Sequence, residues 1–112
     1  MRYIFIFILF SVVSFAQKKS NLSQEVWVDS VYNQLSFEER VGQLFMVAAY
    51  SNKDEAHNKS IDKLVEENKI GGLIFFQGGP VRQAKLTNRY QAKSKVPMFI
   101  GIDAEWGLSM RL

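Results

Sequence analysis

Cysteine is absent from this chain of 112 residues, histidine occurs once and proline twice. Without cysteine there is no disulfide and no thiolate nucleophile, so stability must come from packing. His57 alone cannot supply the three or four protein ligands of a zinc site, and neither a metal nor a cofactor is expected. Charge of one sign is also lacking: 14 basic residues against 11 acidic ones leave +3, too little to argue for a nucleic-acid partner. Acids are missing from residues 82 to 95, where Arg82, Lys85, Arg89 and Lys93 form a basic stripe at helical spacing. No aromatic stacking platform interleaves those charges, so the stripe reads as a solvated helix face rather than an anion site.

Apolar runs long enough to span a bilayer, roughly 20 residues, are missing as well. The longest opens the chain, M-R-Y-I-F-I-F-I-L-F-S-V-V-S-F-A, and has the build of a secretory signal peptide over residues 1–16. Arg2 gives the positive start, Tyr3 to Val13 the apolar centre, and Ser14 with Ala16 the small residues before a cut at Gln17. Absence of cysteine at that cut removes the usual lipid attachment point. The expected product is periplasmic or extracellular, with no membrane association once the signal is removed. Taking 16 residues from 112 leaves 96, of which 17–23 are a polar leader.

Beyond the leader, helical and buried-strand patterns alternate. Ser23 is a predicted N-cap for a helix with Val28, Val31, Tyr32 and Leu35 on one face, and Ser36 with Glu39 spells a capping box for a second. Leu44 to Tyr50 is an unbroken apolar run that predicts a strand buried on both faces. A helix from Glu55 to Asn68 follows, with Ile61, Leu64 and Val65 inward, and Asn68-Lys69-Ile70-Gly71-Gly72 stops it. The second strand is Leu73 to Phe76. Gln77-Gly78-Gly79-Pro80 turns into a helix reaching Lys93, with Val81, Leu86 and Tyr90 predicted in the core, and Pro97 opens the third strand, Met98 to Ile102.

Strands this apolar, separated by helices, imply parallel pairing with right-handed crossovers. A doubly wound sheet and an eightfold barrel both begin in this way, and spacing does not separate them. Three strands cannot close a barrel, which takes eight strands and typically about 250 residues. Either the chain is part of something longer or it is a small open sheet with bare edges.

Several motifs carry less than they suggest. G-G-L-I-F-F-Q-G-G-P matches neither a dinucleotide fingerprint nor a P-loop, and its glycines read as a helix stop and a strand-to-helix turn. His57, beside Asn58 and Lys59, reads as solvated, with no nucleophile and orienting acid to complete a catalytic set.

The closing run F-I-G-I-D-A-E-W-G-L-S-M-R-L is different in kind. It drives an apolar strand into Asp103 and Glu105, with Arg111 eight residues after the aspartate. Ligands of α/β folds gather at the carboxyl ends of the strands. There a carboxylate can accept hydrogen bonds from sugar hydroxyls while a guanidinium donates a planar fork. The plain alternative is that Asp103 caps the next turn and Glu105 pairs with Arg111. Asp103 and Glu105 do not suit a catalytic pair of carboxylates, because they alternate across a strand or share one short loop and so cannot flank a ligand from opposite sides.

The run I-G-I-D-A-E-W-G-L-S-M-R-L resembles the strand-end motif D-x-E-G-G-x-x-x-R-[LF] of glycoside hydrolase family 3. L-S-F-E-E-R-V-G-Q-L-F-M-V resembles the family's opening helix and first strand, and I-G-G-L-I-F-F-Q-G-G with Q-A-K-L-T-N-R-Y-Q its second strand and helix. The likeness covers the chain from about Ser23 onward and is nearest to the bacterial β-N-acetylglucosaminidase branch.

What the resemblance implies is a fold class of α/β type, residues 24–112 forming the first three or so β/α units of a TIM (β/α)8 barrel. It also implies retaining, exo-acting release of terminal β-N-acetylglucosamine from cell-wall or chitin-type saccharides. The partner is then an oligosaccharide or peptidoglycan-derived substrate. Asp103 corresponds to the aspartate that holds hydroxyls of the terminal sugar, and Arg111 to the arginine that shapes the same subsite. The family's nucleophile and its loop histidine lie well downstream, so no catalytic residue is expected within these 112. Trp106 stands where the motif has glycine, and Glu105 is given no role beyond structure. The rivals are a β-glucosidase of the same family and a carbohydrate-binding module without catalysis.

Overall fold

The computed structural model describes residues 23–112; the signal-peptide expectation for 1–16, and the leader up to 22, lie outside the described residues. The elements run in the expected order. They are α1 (Gln24–Asn33), α2 (Phe37–Gly42), β1 (Met46–Tyr50), α3 (Glu55–Glu67), β2 (Gly72–Gln77), α4 (Pro80–Lys93), β3 (Phe99–Ile102) and a 3₁₀ turn, Leu108–Met110. Local chemistry sets their starts. The Ser23 hydroxyl accepts from the Val26 amide, Ser36 and Glu39 close a complete capping box, the Asp54 carboxylate accepts from the His57 amide, and Pro80 occupies the first turn of α4.

The three strands form one parallel sheet in the order β1-β2-β3. This is mixed α/β architecture, with α3 and α4 packed together over one sheet face. Alternation along the strands decides which side chains meet them. Ala49, Leu73 and Phe75 are buried with Ile61 and Val65 of α3 and Tyr90 of α4, while Val47, Leu86 and Ile100 pack at the margin. Leu73, Phe75 and Val65 are each fully out of water, at about 1.5–3 kcal/mol apiece in transfer free energy.

The opposite sheet face is not covered among the described residues, and it overturns one expectation. Leu44 and Phe45 precede β1 rather than belonging to it, and Leu44, Phe45, Met46 and Phe99 are exposed, Leu44 by 84% and Phe99 by 79%. The unbroken apolar run therefore marks a strand with one buried face here, not two. Val81 is a second correction: it is 67% exposed, because α4 turns Leu86 and Tyr90, not Val81, to the core. The amphipathic face expected of α1 buries only Leu35, leaving Trp27, Val28 and Tyr32 open along an apolar groove of roughly 300 Å³ at the amino end of the sheet.

Two of the four members of the basic stripe on α4, Arg89 and Lys93, are not a free solvated face, because α3 supplies their acids, while Lys85 stays exposed. Arg89 bonds Glu55 at 2.7 Å and Asp62 at 2.5 Å, and Lys93 bonds Glu66 at 2.6 Å and approaches Asp62 at 3.5 Å. Arg82 is spent on the Ser51 carbonyl at 3.1 Å.

Hydrogen bonds from Arg89, and then from Asn58, pull the Glu55 carboxyl down to about 2 from 4.5. A carboxyl depressed in the folded state stabilises the fold above its unfolded value and loses that contribution as pH falls. In denaturant titrations, the stability gap between wild type and Glu55→Gln should be complete at pH 6 and should shrink between about pH 4.5 and 2. A gap that stays constant with pH would show that Glu55 acts through packing alone.

Candidate functional site

Every strand ends at the same edge of the sheet, and the chain leaving each one contributes to a cluster there. β1 delivers Tyr50 and Ser51, β2 delivers Phe76, Gly78 and Gly79, and β3 delivers Asp103. Asp103 is tied to the sheet by its own amide, which donates to the Phe75 carbonyl at 3.3 Å.

The nine residues from Asp103 to Arg111 fold back on themselves in two tight turns. In the first, the Gly107 amide donates to the Ala104 carbonyl at 3.0 Å; in the second, the Arg111 amide closes the 3₁₀ turn on Leu108 at 2.9 Å. Gly107 joins them at φ 98° and ψ 163°, a conformation in which a side chain is strained. Trp106 does not need left-handed backbone and is 84% exposed.

Folding back returns Arg111 to Asp103. Its Nε donates to the Asp103 carbonyl, and its Nη2 donates to Asp103 Oδ2 at 2.7 Å. This is the pair that the sequence singled out, and the structure brings both members together. The pairing of Glu105 with Arg111 does not occur: Glu105 is exposed, and Arg111 is engaged by Asp103 instead. Neither does the carboxylate of Asp103 cap the following turn. The Arg111 side chain is 19% exposed and that of Asp103 34%, so the pair is accessible without being loose. Among the described residues no hydrogen bond engages Asp103 Oδ1 or Arg111 Nη1, which leaves an acceptor and a donor side by side.

Aromatic side chains from the ends of β1 and β2 lie next to that pair. The guanidinium carbon of Arg111 is 5.5 Å from the centre of the Phe76 ring. Phe76 stacks on Tyr50 at 5.8 Å and 25°, and the Lys53 ammonium lies 3.8 Å over the Tyr50 ring. Sequence reasoning treated Tyr50 and Phe76 only as strand interior. An aromatic residue near the end of each of two adjacent strands was the available signal.

His57 is also placed differently from expectation. It is partly buried, meets Tyr50 edge-on at 5.7 Å, and accepts the Tyr50 amide at Nε2 at 3.3 Å. Burial first, and then the Lys53 charge, hold its pKa below 6.5 against the opposing pull of Asp54. A neutral ring is what accepting a backbone N–H requires. His57 thus fixes the end of β1, and the described residues give it no nucleophile to activate. Among them no group of three or more His, Asp or Glu side chains could hold a metal ion, and no helix is long and apolar enough to cross a membrane.

Compared with known protein families and with curated proteins, the chain matches none.

Proposed function

We propose that this chain forms the opening β/α units of a retaining exo-glycosidase barrel of the family 3 type, releasing terminal β-N-acetylglucosamine from cell-wall or chitin-type saccharides. In this reading the product is exported to the periplasm or beyond. Asp103 and Arg111 are one wall of the terminal sugar subsite, and the nucleophile and acid/base groups come from sequence beyond these residues.

The observation that carries the proposal is the Asp103–Arg111 pair at the carboxyl end of β3. It presents one free carboxylate oxygen beside one free guanidinium nitrogen. Adjacent hydroxyls of a pyranose can donate to the first and accept from the second, a recognition that neither an apolar ligand nor a simple anion satisfies as well. A parallel sheet with helices on one face and exposed apolar side chains on the other is also what the first strands of a barrel look like.

Hydrolysis of a chromogenic β-N-acetylglucosaminide and of the matching β-glucoside by the full-length protein tests the assignment. Preference for the N-acetylglucosaminide is expected. Preference for the glucoside would move the substrate to plain glucosides, and binding of N-acetylglucosamine with no turnover of either would replace the enzyme with a binding module.

A further inference from the structure

A guanidinium is held in one orientation only when both its edge and its plane are constrained. Asp103 constrains the edge of Arg111, since Nε and Nη2 both donate to that one residue. Two such bonds on one side still leave the plane able to tilt about the line joining the nitrogens. The direction of Nη1, the nitrogen left for a ligand, depends on that tilt.

The geometry points to Phe76 as the positioning residue that fixes it. Its ring lies under the guanidinium at 5.5 Å, within the range of a cation–π contact. The ring is itself backed by Tyr50, stacked at 5.8 Å, and the Lys53 ammonium at 3.8 Å from the Tyr50 ring completes a ladder of cation, ring, ring and cation.

Backbone pairing places Phe76 there. Between β1 and β2 the register runs Ala49 to Phe75 and then Tyr50 to Gln77, so Phe76 is the residue the ladder skips. An irregularity of this kind re-aims side chains at the end of a sheet. With Tyr50 covering one side of Phe76 and Arg111 approaching it, the ring is committed to holding the cation and is not a platform for a sugar face.

The functional part of this inference rests on reading Asp103 and Arg111 as a sugar-binding wall; the positioning part does not, and the test separates them. In the full chain carrying ¹⁵N-labelled arginine, the Arg111 Nε–H resonance is identified by its loss in Arg111→Lys. Phe76→Leu should move that resonance downfield and quicken its exchange with water, whereas Phe76→Tyr, which keeps the ring, should leave both unchanged. Titration with N-acetylglucosamine should show affinity about two- to fivefold weaker in Phe76→Leu and preserved in Phe76→Tyr, the size of one cation–π contact. A Phe76→Leu resonance identical to wild type in position and exchange overturns the proposal. If wild type does not bind the sugar, the subsite reading fails and the resonance still decides the positioning. Should Phe76→Leu not fold, the wild-type nuclear Overhauser contact between the Phe76 ring and the Arg111 side chain decides, and its absence refutes the assignment.

Discussion

Gly78→Ala should lower unfolding free energy by about 2–6 kcal/mol, the sum of two separate penalties. The first is conformational. Gly78 sits at φ 143°, where an L side chain is strained by roughly 1–3 kcal/mol. The second is steric: a Cβ there would fall 1.6 Å from Ser51 Oγ and 2.8 Å from Ser51 Cβ. Ser51 cannot simply swing aside, because its hydroxyl accepts the Gly79 amide at 3.2 Å and its own amide donates to the Gln77 carbonyl at 2.9 Å. These bonds hold the ends of β1 and β2 together.

Overpacking of this kind costs roughly 1–3 kcal/mol where neighbours give only partly. Equilibrium denaturation of Gly78→Ala, Ser51→Gly and the double variant separates the two penalties. Ser51→Gly in the Gly78→Ala background should recover the steric share and leave the conformational one. If Gly78→Ala matches wild type, the close approach of the two strand ends is not as described.

Much of the fold was legible because it rests on local rules. Capping residues and apolar periodicity do not depend on the rest of the chain, and Ser23, Ser36 and Pro80 start their helices as expected. The unbroken apolar character of the strands announced parallel pairing, which the sheet has. Burial was less legible, because it depends on what lies across the sheet. Met46 and Phe99 have the same composition as core residues and stand in the open.

Long-range pairing was legible only in part. Glu55, Asp62 and Glu66 share one face of α3 by helical spacing, and Arg89 and Lys93 share one face of α4. Each face could be read alone. That they meet follows from both helices covering the same side of a sheet whose strands are in sequence order. Phe76 escaped for a related reason: its contact with Arg111 depends on a skipped residue in the register, which no periodicity reports.

If the proposed glycosidase function holds, Asp103→Asn should cost the full-length protein about 100-fold in kcat/KM while changing stability by less than about 1 kcal/mol. The contrast follows from what the carboxylate touches. Toward the protein it makes one bond, Oδ2 to Arg111 Nη2 at 2.7 Å, with its side chain 34% exposed. A partly exposed ion pair contributes on the order of 0–1 kcal/mol. The loop does not depend on that bond alone, because Arg111 Nε keeps its hydrogen bond to the Asp103 carbonyl and the two turns close through backbone groups. Toward a sugar, charge-assisted bonds to hydroxyls are worth roughly 1.5–3 kcal/mol each and would be lost with the charge. Arg111→Lys should behave differently, since it removes the fork that grips both the carbonyl and the carboxylate and so loosens the loop as well as the subsite. Thermal denaturation alongside steady-state kinetics for both variants decides the matter. Parallel losses of stability and activity in Asp103→Asn would make the pair a fastening for the loop, and the sugar subsite would have to be sought elsewhere.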